Sequence, residues 1–234
     1  MINQYKITIP KEHWKYLFIQ RSILEIIYNL DYSSSEDEVN ETAWKVFQED
    51  YLSVRSVMPQ NPKNILDIGG GIGVFDTIIN DHYFYSIGCD VSPVFHIVDS
   101  DSWTIDDTHR QINYGSVDDM ATYNNFGATK AIFSENALPE KQYRLYDINK
   151  QEFPEEEMDL IYSITSAMWH YPISTYLENL KLKKGGVLIL DSRLGDPEIE
   201  LVNERYRLVK SVYNHYTLTG PKILKGHRYC WVND

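Results

Sequence analysis

Between Asn64 and Asp76 the chain reads NILDIGGGIGVFD. An apolar run carrying one acid, Asp67, leads directly into Gly69, Gly70, Gly71 and Gly73. Glycines at such a place let a strand-to-helix turn adopt conformations closed to other residues, and let a bound molecule lie against the main chain. Their spacing separates the chemistries such a turn can serve. The dinucleotide pattern G-x-G-x-x-G or A puts Val74 at its last position when counted from Gly69, and Asp76 when counted from Gly71. A phosphate-gripping loop would continue Gly-Lys-Ser or Gly-Lys-Thr, and no such run follows. The remaining pattern is D-x-G-x-G-x-G, with Asp67 on the strand and Gly69, Gly71 and Gly73 in the turn.

The elements that would hold this turn can be read from hydrophobic periodicity. Up to about Pro62 the chain is helical: WKYLFIQRSILEIIYNL and ETAWKVFQEDYLSVRSVM both repeat apolar residues at three and four spacings, separated by the polar SSSEDE. From Asn64 onward short apolar runs alternate with helical segments, the mark of a parallel sheet with helices on both faces. The strand candidates are NILDIG, VFHIVD, QYRLYDI, MDLIYSI and GGVLILDSR, with LVKSVYNH and HRYCWVN as a sixth and seventh forming an antiparallel edge pair. Pro172 stands near a helix start, and Gly185-Gly186 close that helix before the fifth strand. The expected fold is α/β, Rossmann-like and doubly wound, with a mostly parallel seven-stranded sheet and an N-terminal helical extension. Residues 1–62 form the helical cap and 63–234 the main domain.

A chain of 234 residues with 43% apolar side chains can bury the core of one fair-sized domain. Its start lacks the basic flank and apolar stretch of an export signal, and no window approaches the ~18 apolar residues of a membrane span. A cytoplasmic protein is expected. Cys89 and Cys230 lie far apart without metal-type spacing and read as reduced structural thiols. No carboxylate and histidine cluster has metal-ligand spacing, so no metal is expected. The formal charge of −12 repels phosphate backbones and disfavours nucleic acid as a partner.

With its acid and alternate glycines, the turn resembles the first motif of the class I S-adenosylmethionine-dependent methyltransferases. The later stretch MDLIYSITSAMWHYPISTYLENLKLKKGGVLILDSR is similar to that family's aspartate-led fourth strand followed by a turn into the fifth. Together with YNNFGATKAIFSEN upstream, it resembles a group of class I methyltransferases labelled as sugar or small-molecule O-methyltransferases; the resemblance to the class as a whole runs from about residue 62 to 234. The chain departs from that group in AMWHYP and in having Gly70 where many methyltransferases carry another small residue. The resemblance implies S-adenosylmethionine as cofactor, with Asp67, Gly69, Gly71 and Gly73 at its methionyl part. Asp99, closing VFHIVD, would accept both ribose hydroxyls, in preference to Asp90, which a turn signal follows at Pro93. Its loss should weaken cofactor binding and barely change the apo fold. Asp147 would meet the adenine amine, and Ile148 would cover the ring.

The implied reaction is methyl transfer to a small polar acceptor, most simply a hydroxyl. His170, following the fourth strand, is the candidate general base; alternatively it and Tyr171 order the loop before Pro172. His96, inside an apolar strand, reads as a core group. Trp44, Phe47, Tyr51 and Arg55 share one helix face, which is either core or a cap over the crevice with Tyr51 or Arg55 reaching the cofactor carboxylate. The polar stretch SDSWTIDDTHRQINYGSVDD could offer Trp103 or Tyr114 as an acceptor wall. Two other readings stay open: methylation of nucleic acid or protein, and a non-catalytic cofactor-binding partner subunit.

Overall fold

The computed structural model describes residues 7–21, 23–83, 92–101, 124–150, 152–168, 172–192, 196–217 and 223–234. Seven strands are built from the apolar runs: β1 (Asn64–Ile68), β2 (Val94–Asp99), β3 (Tyr143–Asp147), β4 (Met158–Ser163), β5 (Leu182–Ser192), β6 (Arg207–Thr217) and β7 (Ile223–Val232). They form one sheet in the order β3-β2-β1-β4-β5-β7-β6. β1 pairs in parallel with β2 and β4, and β2 with β3 and β4 with β5 likewise, while β7 runs antiparallel between β5 and β6. The strand order therefore reverses between β1 and β4, where an open sheet of this kind parts to admit a ligand.

Successive residues of a strand point to opposite faces, so the central strands feed two cores. Ile65, Phe95, Ile97, Leu160 and Ile189 enter one, Leu66, Ile68, Val98, Ile161 and Leu188 the other. The first core is closed by the N-terminal helices α1 (Trp14–Gln20), α2 (Ile23–Ile26) and α3 (Glu36–Val54), together with α4 (Val74–Asp81) and α5 (Phe126–Glu135). Trp14, Leu17, Leu24, Val39, Ala43 and Val54 are all buried there, so the helical extension packs into the same core as the sheet. The second core is covered by the segment after β4 and by α6 (Asp196–Asn203). Ser35 starts α3 by accepting the Glu38 N–H at 3.3 Å, with Glu36, Asp37 and Glu38 in the positive first turn.

Three local expectations are corrected. The helix read through WKYLFIQRSILEIIYNL breaks at Arg21, whose backbone leaves the helical region at φ −132 and ψ 64. Its buried guanidinium is tied to Asp50 on α3 and to Thr165, and these tertiary bonds outweigh the local periodicity. Between Pro172 and β5 there is no continuous helix, only the single turns Ile173–Thr175 and Leu177–Asn179. Gly185 and Gly186 lie inside β5, where the register against β4 shifts between Met158 and Leu160. Gly185, at φ +76, supplies the left-handed residue that the irregularity needs.

Candidate cofactor site

The turn after β1 sits where the strand order reverses. Gly69 and Gly71 have φ of 73 and 59, a region that costs other residues about 1–2 kcal/mol. A side chain on Gly69 would place its Cβ 1.9 Å from Ser166 Oγ, and one on Gly71 would meet Gln20 Oε1 at 2.3 Å. Close approach at this turn is thus required first by the protein's own walls. Gly69→Ala is expected to lower folding stability by about 1–3 kcal/mol through overpacking and strain, measured by urea denaturation; an unchanged midpoint would show that Ser166 can leave the turn freely.

The turn is anchored to β2 and α5. The Gly71 N–H donates to Asp99 Oδ2 at 2.7 Å, and the Gly71 carbonyl accepts from Asn124 Nδ2 at 2.7 Å and Thr129 Oγ1 at 3.1 Å. Asp99 also accepts from the Ser100 N–H at 2.6 Å and from Asn124 Nδ2 at 3.1 Å. Burial pushes its carboxyl up to about 6 in spite of these three donors. Below the turn Asp67 and Asp76 are buried together, and Tyr162 donates its hydroxyl to Asp76 at 2.5 Å. Burial raises Asp67 well above the ordinary carboxylate value, helped by the charges of Asp76 and Asp99, and brings Asp76 to about 7.

The turn, Asp67 and Asp99 face an open crevice at the carboxyl ends of β1, β2 and β4. Of the residues the sequence proposed for the cofactor, Asp67, Gly69, Gly71, Asp99 and Ile148 are on its wall. Gly73 is not; it starts α4 with its α-carbon packed toward Phe133. Asp147 lies next to Ile148, its Oδ1 accepting the Asn149 N–H at 3.0 Å and its Oδ2 paired with Lys150 at 3.3 Å. Burial raises Asp147, but these bonds outweigh it and hold the carboxyl below its usual value. His170 and Tyr171, and likewise Asp90, Cys89, Trp103 and Tyr114, lie outside the described residues.

The cation on the crevice wall is not the one the α3 face suggested. Tyr51 is fully buried, its hydroxyl 2.5 Å from His82 Nδ1, and Arg55 is exposed. Gln20 and Arg21 take the place instead, at the break after α1. Gln20 Oε1 accepts the Ile72 N–H at 3.1 Å, while its Nε2 is buried with no partner among the described residues. Arg21 stacks over Phe47, 4.6 Å from the ring centroid, and donates to Asp50 at 3.0 Å and Thr165 at 3.2 Å. The one sequence signal for them is a polar pair interrupting an apolar helical repeat. Thr165 and Ser166, after β4, continue the wall beside Arg21. His96, as expected, is a core group, bonded through Nδ1 to the Tyr146 hydroxyl at 3.0 Å. Cys230 is a buried free thiol pushed up to about 11. Among the described residues no three or more His, Cys, Asp or Glu side chains are placed to hold a metal ion.

A mostly parallel seven-stranded sheet with its last strand antiparallel and inserted beside the fifth, and a glycine turn after the first, is the fold of the class I S-adenosylmethionine-dependent methyltransferases. Solved structures of that class superpose on it. The N-methyltransferase NodS from Bradyrhizobium japonicum in complex with S-adenosylhomocysteine matches with a TM-score of 0.51 and 15% identity, over 82% of this chain and 87% of that one. StiE O-MT matches with a TM-score of 0.56 and 14% identity, over 91% of this chain and 82% of that one. No protein-family model matches the chain, and no curated protein matches its sequence.

Proposed function

We propose that the protein is an S-adenosylmethionine-dependent methyltransferase acting in the cytoplasm on a hydroxyl of a small, polar metabolite. The observation that carries the cofactor reading is the convergence, in one crevice, of the Asp99 carboxylate, the glycine turn and the Arg21 guanidinium. These groups match the cofactor's chemistry. A carboxylate suits vicinal ribose hydroxyls, an aliphatic Ile148 suits the adenine face, and Arg21, with the Gln20 Nε2 that has no partner among the described residues beside it, suits the cofactor's α-carboxylate. When bound, S-adenosylmethionine supplies a methyl group already activated on a sulfonium.

The chain's own part is then mainly placement, holding the acceptor about 3 Å from the transferable carbon. Phe47, Phe75, Ile164 and Tyr176 give the crevice apolar surface that keeps water out, and Thr165 and Ser166 give it hydroxyls. His170, following β4 in sequence, takes the acceptor's proton in this proposal. The acceptor oxygen is favoured over nitrogen by the O-methyltransferase resemblance of the stretch around His170; StiE O-MT is a fold neighbour consistent with oxygen, NodS one that uses nitrogen. The −12 charge supports a small molecule over nucleic acid. No described helix is long and apolar enough to cross a membrane. Incubation with methyl-labelled cofactor and a fractionated small-molecule extract should give one labelled product whose methyl is on oxygen. Label found only in RNA or protein, or on nitrogen, would refute this acceptor.

The Asp99 environment also sets a pH dependence. The ionised carboxylate can accept two hydroxyls, and its pKa of about 6 means that the protonated form takes over as pH falls below that value. S-adenosylhomocysteine affinity should be flat at alkaline pH and fall by up to about tenfold per pH unit below about 6. Asp99→Asn should be weaker throughout and lose that slope. Calorimetric titrations across the range check this; equal slopes in both proteins would contradict the assignment.

A further inference from the structure

Behind the crevice wall, two guanidinium groups and two carboxylates form a closed ring with Thr165. Arg21 Nη2 meets Asp50 Oδ2 at 3.0 Å, and Asp50 Oδ1 meets Arg228 Nη2 at 2.9 Å. Arg228 grips Asp191 through Nε to Oδ1 at 2.6 Å and Nη2 to Oδ2 at 2.7 Å. Asp191 Oδ2 accepts the Thr165 N–H at 3.2 Å, and Thr165 Oγ1 accepts from Arg21 Nη1 at 3.2 Å, which closes the circuit. The ring draws on the break after α1, on α3, β7 and β5, and on the segment after β4. Only Arg21 and Thr165 of its members reach the crevice.

Stability alone does not account for such a ring. The charged side chains are 7% exposed or less, and desolvating buried ions costs several kcal/mol apiece, so apolar residues of the same volume would commonly serve the fold as well or better. What the ring does supply is orientation. Arg228, with no exposed surface, spends Nη1 on the Asp50 carbonyl at 3.0 Å and on Ser53 Oγ at 2.7 Å, so its plane is fixed from four sides. Asp50 is thereby fixed, and with it the Arg21 guanidinium. Thr165 is held at φ +58, an unfavourable value for a β-branched residue, by the Asp191 bond to its N–H. Among the described residues Arg21 uses two of its five N–H donors in the ring, leaving others for a ligand.

We propose that Arg228 is a positioning residue for cofactor binding: acting through Asp50 and Asp191, it presets Arg21 and the Thr165 turn to receive the cofactor's amino-acid end. This rests on the reading of the crevice as an S-adenosylmethionine site. Neutralising Asp50 from both sides also keeps Arg21 from being consumed by its own partner. Without Arg228 two carboxylates would face one guanidinium.

The test compares two ligands that share adenosine and a thioether but differ in the amino-acid end: S-adenosylhomocysteine, and 5′-methylthioadenosine, which lacks it. Arg228→Lys keeps the charge and loses the planar fork. It should weaken S-adenosylhomocysteine about tenfold and leave 5′-methylthioadenosine within about twofold. In an Arg21→Met background the same substitution should weaken S-adenosylhomocysteine by no more than about threefold, because the route through Asp50 is gone and only the one through Asp191 and Thr165 remains. Parallel weakening of both ligands, or an Arg228→Lys loss that stays at its full tenfold in the Arg21→Met background, would reduce the ring to a structural support and overturn the proposal. Unchanged affinity for both ligands would overturn it too. Wild-type protein that binds neither ligand would overturn the crevice reading itself, a separate result.

Discussion

Trp14→Ala is expected to lower folding stability by about 3–5 kcal/mol, the usual cost of removing a large aromatic from a packed core. Trp14 has no exposed surface, packs edge-on to Phe18 with centroids 6.0 Å apart, and donates Nε1 to the Ile9 carbonyl at 2.9 Å. It does not line the crevice. Yet α1, which it nails to the core, ends in Gln20 and leads into Arg21, so cofactor affinity should fall along with stability. Trp14→Phe, which keeps most of the volume and loses the hydrogen bond, should recover much of both. Urea denaturation and ligand titration on the two variants measure the effect. A loss below about 1 kcal/mol in Trp14→Ala would mean that the helical extension is not part of the core.

Asp99→Ala is expected to weaken cofactor binding by about 1.5–3 kcal/mol, roughly 10- to 150-fold, through loss of a charge-assisted pair of hydrogen bonds. The structure adds a consequence that the sequence did not suggest. Three donors converge on that carboxylate, the N–H groups of Gly71 and Ser100 and the Asn124 amide, so the apo protein is expected to lose stability as well, by about 1–3 kcal/mol. The sequence expectation of an unchanged apo fold is corrected accordingly. Asp99→Asn keeps an acceptor and should separate the two effects, sparing stability more than binding. Cofactor affinity within twofold of wild type in a folded Asp99→Ala protein would remove Asp99 from the site.

What could be read in advance follows from which forces are local. A central parallel strand is buried on both faces, so β2 stands out as the uninterrupted run VFHIVD, whose bounds match Val94–Asp99. The glycine turn was legible for a related reason, since three left-handed positions in five residues leave few alternatives to glycine. The break at Arg21 was not, because its cause lies 29 residues away at Asp50 and 144 away at Thr165. The same holds for Arg228, whose tie to Asp50 spans 178 residues. The α3 face left core and cap open for Tyr51 and Arg55, because periodicity assigns a face to the core without saying which residue at its rim meets the ligand; Tyr51 is core. The turn at Gly185 was misplaced because a bulge inside a strand and a stop before one use the same residues.

Isothermal titration of purified protein with S-adenosylhomocysteine addresses the central claim, a cofactor crevice at the ends of β1, β2 and β4, most directly. One site per chain is predicted, lost or strongly weakened in both Arg21→Met and Asp99→Ala, whose side chains reach the crevice from different elements. Absence of heat and of any thermal shift at about millimolar ligand, some 4 kcal/mol of binding free energy, would contradict it.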